Sequence, residues 1–237
     1  MEFKEIATVM KHSTILLLFA GCLCACNPVG QNDTICDKYN ERSAELLYNF
    51  FMNDEDTLFL NAALSCLDSA LSYIEDGTLT CRYKQMWQTR KLSALSLKKA
   101  YSEGIEYLKQ IDFNIVSAPY YKSTFLKRFH AMECQYKGDT ICRNKHIKSI
   151  LDDIEPFIEE NREKIDLMCE NEDENAIYQN PLFFSVQQYY YYKSLIEGVD
   201  VVEKELDLLE KNKNYNQGFL NGMKATFRED FLIFQGY

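Results

Sequence analysis

Apolar residues along this chain recur at helical rather than strand spacing. Between Thr57 and Glu75, Leu60, Leu64, Leu67, Leu71 and Ile74 follow one another at steps of 4, 3, 4 and 3, which lays them along one stripe of an α-helix. The strict alternation of a half-buried strand is scarce beyond residue 41. The spacing predicts helices over 42–53, 57–75, 80–98, 101–112, 119–137, 140–160, 181–197, 199–213 and 217–234. Turn chemistry falls between them, with Gly77 in EDGT and Gly138 in KGDT. Pro119 and Pro181 suit a first helical turn, where a missing N–H costs nothing. Pro156 lies inside a helical pattern and predicts a bend or an end there.

The second helix of each successive pair repeats its stripe. Leu67, Leu71 and Ile74 recur as Tyr101, Ile105 and Leu108 at an offset of 34 residues, then as Ile147, Leu151 and Ile154, and again as Val202, Leu206 and Leu209. The run Tyr101-Ser102-Glu103-Gly104-Ile105-Glu106-Tyr107-Leu108 resembles the second-helix half of a tetratricopeptide repeat. That motif needs a small residue where two helices cross closely, a position held by Gly104 and, one copy earlier, by Ala70. The resemblance spans residues 57–112; beyond it, Ile150 and Glu205 take the small position and the copies fall 46 and 55 residues apart. It implies an all-α fold, a right-handed array of antiparallel helix pairs. An irregular helical bundle is the alternative that the same periodicities permit.

The first 26 residues carry a different pattern. Ile15 to Ala20 is an unbroken apolar run, preceded by Lys11 and His12 and followed by GCLCAC. It is too short for a permanent membrane helix, which needs roughly 20 residues, and reads as the apolar region of an export signal. MEFKEIATV is acidic for the start of such a signal whereas MKHS is ordinary, so translation is expected to begin at Met10 rather than Met1. A small residue directly before a cysteine resembles the processing site of bacterial lipoproteins, in which that cysteine is lipidated and becomes the mature N-terminus. Leu23-Cys24-Ala25-Cys26 keeps the Leu and the small residue of that pattern, and Phe19-Ala20-Gly21-Cys22 keeps only the latter. The resemblance therefore implies a diacylglycerol and N-acyl lipid on Cys26, with Cys22 as the alternative, holding the chain at the bacterial envelope as an outer-membrane lipoprotein that faces the periplasm or the cell surface. No second apolar run approaches about 18 residues, so the lipid is expected to be the one membrane attachment. The expected organisation is a signal peptide over 1–25, a polar tether over 26–40 and one helical repeat-like domain over 41–237.

Composition narrows the partners. The 36 acidic against 26 basic residues give a net charge of −10, which opposes binding to nucleic acid or an anionic lipid surface. With 46% hydrophobic residues and only 9 Gly and 4 Pro, the chain is too apolar and too turn-poor for a disordered or low-complexity protein.

Candidate chemistry concentrates in His130-x3-Cys134-x7-Cys142-x3-His146. The intervening QYKGDTI reads as the turn of a helical hairpin, which puts each His one turn from its Cys on the same face. In an exported, oxidising compartment Cys134 and Cys142 are expected to form a disulfide staple; unlinked cysteines, and a tetrahedral zinc set with His130 and His146, are the alternatives. Cys66 and Cys81 are expected as core cysteines. The acidic runs Asp152-Asp153-Glu155, Glu159-Glu160-Glu163 and Glu170 to Glu174 read as solvated faces and a surface loop, not as a catalytic or calcium site. The aromatic residues are expected first as packing between helices, with Trp87, Tyr121 and Tyr190 kept as candidates for a concave peptide- or glycan-binding platform, since four consecutive tyrosines at 189–192 must point all round their helix. No nucleophile motif accompanies the histidines, so no catalysis and no further cofactor are expected. The functional expectation is a non-enzymatic, lipid-anchored scaffold for a protein or peptide partner. A glycan-binding accessory lipoprotein and an immunity lipoprotein neutralising a toxin are the alternatives.

Overall fold

The computed structural model describes residues 31–53, 56–112, 120–171 and 173–227. The expected signal peptide, the lipidation candidates Cys22 and Cys26, the start sites Met1 and Met10, Pro119, and the end of the last expected helix lie outside the described residues. Among the described residues every regular element is a helix. In chain order these are α1 (Gln31–Met52), α2 (Thr57–Glu75), α3 (Lys84–Leu97), α4 (Tyr101–Gln110), α5 (Tyr121–Tyr136), α6 (Thr140–Glu160), α7 (Arg162–Cys169), α8 (Glu174–Tyr178), α9 (Phe183–Glu197), α10 (Val199–Lys213) and α11 (Gln217–Thr226). The protein is all-α. The chain divides after Ala100 into two compact units.

In the first unit α2 lies between α1 and α3. Of its stripe, Leu60, Leu64, Leu67 and Leu71 are buried and Ile74, in the last turn, is half-buried. The Asp56 side chain accepts the Leu58 N–H at its start, and Gly77, at φ 78°, provides the left-handed turn beyond its end. Among the described residues α2 is the one helix long and apolar enough to cross a bilayer, at a mean hydropathy of 1.3 over 18 residues, so a second such run does exist. Six of its residues are buried within the unit.

The tether expected over 26–40 is helical from Gln31 onward, and α1 begins eleven residues before the helix predicted at 42. The segment hides its helix because polar contacts hold it. Arg90 of α3 is buried and donates through Nη1 to the Asn40 carbonyl at 2.9 Å, to Asn40 Oδ1 at 2.6 Å and to Ser43 Oγ at 3.0 Å. Asp37 accepts a hydrogen bond from the Tyr83 hydroxyl at 2.7 Å. The Cys36 side chain is fully buried nearby. None of this produces an apolar stripe.

In the second unit α5 packs against α4 and α6, α6 against α9, and α9 against α10 and α11. The central helix α6 buries Ile147, Ile150, Ile154 and Ile158. Pro156 neither ends nor replaces this helix, which runs on to Glu160. Pro156 and Asp152, whose carbonyl it cannot bond, are both exposed, so the lost hydrogen bond faces solvent. Two helices were not foreseen from the sequence. The eight-residue α7 follows α6 directly, and α8 sits in the acidic segment, where the Asp173 carboxylate accepts the Asn175 N–H at 3.0 Å.

Gly104 of α4 lies directly against the Phe129 ring of α5, so a Cβ added there would overlap that ring. Replacing Gly by Ala normally stabilises a helix by about 1 kcal/mol. Here overpacking reverses the sign, and Gly104→Ala should lower the unfolding free energy by about 1–3 kcal/mol in a denaturant titration.

Candidate functional site

The α5–α6 hairpin brings together the residues singled out by their spacing. His130 and Cys134 lie one turn apart at the end of α5, and Cys142 and His146 lie one turn apart at the start of α6. The turn between the helices is built locally: Gly138 adopts φ 75°, the Asp139 N–H bonds the Cys134 carbonyl at 2.8 Å, and the Asp139 carboxylate caps α6 by accepting the Cys142 N–H at 2.9 Å. Across it the structure joins Cys134 and Cys142 in a disulfide, with Cα atoms 5.8 Å apart. The His130 and His146 rings stack beside it, their centroids 5.2 Å apart and their planes 17° from parallel. Partial burial, then the charges of His130, Lys145 and Lys127, lower the pKa of His146 and keep its imidazole neutral at pH 7.

Two residues of this hairpin end were not singled out by the sequence. Ile141 is 84% exposed and Tyr136 61% exposed, while the Tyr136 ring meets the buried Tyr101 of α4 edge-on at 6.0 Å. The available signal was the isoleucine itself, an apolar residue closing an otherwise polar turn sequence. Near the end of α5 Lys137 pairs with Glu133 at 2.7 Å, and that hydrogen bond is the main reason the Glu133 pKa is lowered.

The three candidates for the binding platform lie where packing between helices would put them. Trp87 is 0% exposed, Tyr121 2% and Tyr190 6%, so all three are core residues. Trp87 meets Tyr39 edge-on at 6.1 Å within the first unit, and Tyr121 packs on Phe125 at 4.8 Å. Of the four tyrosines at 189–192, three are buried, and the half-buried Tyr189 lies 5.7 Å under the Lys193 ammonium. Burial pushes the Tyr190 hydroxyl well above its usual range. These rings are buried because α9 is covered on several sides, by α6, α7, α10 and α11.

Among the described residues the other cysteines form no disulfide, Cys36 and Cys169 being buried and Cys66 and Cys81 half-buried. Burial pushes Cys169 up to about 12, which leaves it unreactive. Of the acidic runs, Asp153 is engaged by Lys127 at 2.6 Å and by the Ser123 hydroxyl at 2.7 Å. No family model, no curated protein and no solved structure matches the chain.

The closed loop is short, so the chain-entropy contribution of the staple is about 2–3 kcal/mol. The paired variant Cys134→Ser/Cys142→Ser should lose about that much unfolding free energy against the oxidised protein in a urea titration, with its helical circular dichroism retained.

Proposed function

We propose that this chain is a lipid-anchored protein of the bacterial envelope, held at Cys26 or alternatively Cys22, that serves as a non-enzymatic scaffold for a protein or peptide partner. On this reading its helices continue the tetratricopeptide-like arrangement of antiparallel pairs suggested by the run from Tyr101 to Leu108. The observation that carries the proposal is the exposure of Ile141, at 84%, on a hairpin end fixed by a disulfide, a cap and a glycine turn. A large apolar side chain carried in solvent on a fixed backbone spares the backbone entropy of docking and gains the full benefit of burial, which is what a binding anchor requires. Tyr136, across the same turn, adds an amphipathic ring. The glycan alternative loses ground, because Trp87, Tyr121 and Tyr190 are buried and offer no stacking surface.

Photo-crosslinking from the hairpin end tests this. A benzoylphenylalanine in place of Ile141, in the full chain within its native envelope, should give one discrete protein adduct, and the same probe at the exposed Lys204 should give none. Ile141→Asp should cut recovery of that partner at least about tenfold. Adducts of equal yield at both positions, or none at 141, would contradict the proposal. Metabolic labelling of the same chains with a tagged fatty acid should disappear in Cys26→Ala, and loss in Cys22→Ala alone would move the anchor.

A further inference from the structure

The sequence H-x3-C-x7-C-x3-H is palindromic about the turn, and the hairpin folds its two halves onto one another. Ligand atoms of Cys134, Cys142 and His146 all lie within 4.8 Å of one another, and all three side chains are half-buried. His130, also half-buried, stacks on His146 with centroids 5.2 Å apart. A tetrahedral zinc ion, at about 2.3 Å from sulfur and about 2.0–2.1 Å from nitrogen, requires its ligand atoms within about 4 Å of one another. Pairs at i and i+4 on a helix suit such an ion because both side chains project from one face. We propose that, when the Cys134–Cys142 bond is reduced, His130, Cys134, Cys142 and His146 form a four-coordinate Zn2+ site, so that the hairpin has two covalently distinct closed states.

The conversion balances. A dithiol reductant gives two electrons and two protons to the S–S bond, which becomes two thiols, and is itself oxidised to a disulfide. Zn2+ then displaces one proton from each thiol and accepts a lone pair from each neutral imidazole. Two thiolates and the dication make a neutral centre, which limits the cost of holding it half-buried. In either state the ends of α5 and α6 stay tied, by a covalent bond in one and by a metal in the other. The inference does not depend on the partner proposed for Ile141.

Metal titration of the full chain decides it. The protein is reduced with a phosphine under anaerobic conditions and titrated with Zn2+ against a chromophoric chelator, with Co2+ as the spectroscopic probe. The reduced chain should take up one Zn2+ and the oxidised chain none, and Co2+ should give the intense visible bands of a four-coordinate site together with a thiolate-to-cobalt charge-transfer band. His130→Gln and His146→Gln should still form the disulfide on oxidation, as mass mapping would read, yet lose at least about tenfold in Zn2+ affinity when reduced. Less than one equivalent bound by the reduced chain, a six-coordinate Co2+ spectrum, or histidine variants that bind as the native chain does would overturn the proposal. So would a reduced chain whose helical circular dichroism collapses and is not restored by Zn2+.

Discussion

Helix α6 must hide four isoleucines along one side, and the second unit is arranged around that requirement. Ile147, Ile150, Ile154 and Ile158 are each 0–3% exposed, and each is worth about 1.5–3 kcal/mol of burial. Covering them takes helices on more than one side, supplied by α5 and by α9. The long-range partner α9 arrives only after α7 and α8, so these short helices serve to carry the chain round. Because α6 is held so firmly, its first turn is held too. That turn carries Cys142 and the next one His146, and the neighbouring end of α5 carries His130 and Cys134. The hairpin end is therefore placed by the core and closed by its own disulfide, cap and glycine turn.

Polar groups do comparable work where apolar ones are few. In the first unit the buried Arg90 draws three oxygens of Asn40 and Ser43 around one nitrogen, joining α1 to α3. A buried guanidinium is costly unless its donors are met, so the arrangement is specific in geometry as well as stabilising. In the second unit Asp166 of α7 accepts hydrogen bonds from Lys213 and Tyr215, tying a short helix to the end of α10. Burial alone would raise the Asp166 pKa, but those two hydrogen bonds together with the charges of Lys213 and Arg162 outweigh it and hold the carboxyl below its usual range.

What the sequence could disclose follows from this division. Stripes that bury apolar residues were legible: Leu60 through Leu71, and Tyr101, Ile105 and Leu108, are buried where the spacing placed them. The stripe of α6 was legible only approximately, since Ile150 is fully buried and Leu151 only half, a shift of one residue that a 4-and-3 pattern cannot resolve. The first part of α1 was hidden, because Arg90, Asn40 and Asp37 fix it through pairings more than forty residues apart in the chain. Trp87, Tyr121 and Tyr190 were legible as aromatic but not as interior, since which face of a helix is covered depends on neighbours distant in sequence. At the site, the His and Cys spacing revealed the hairpin and its turn, while the exposure of Ile141 emerged only with the fold.

Helix α6 is thus the rigid element of the second unit, and the disulfide-bonded hairpin turn lies at one end of it, joined but separable. Hydrogen exchange on the full chain, oxidised and then reduced without added metal, tests that separation most directly. The amides of residues 147–158 should be the slowest to exchange in the second unit, as expected for a segment that opens only on global unfolding, and reduction should speed exchange at residues 134–146 alone. Loss of protection through 147–158 on reduction, or fast exchange there in the oxidised protein, would contradict it.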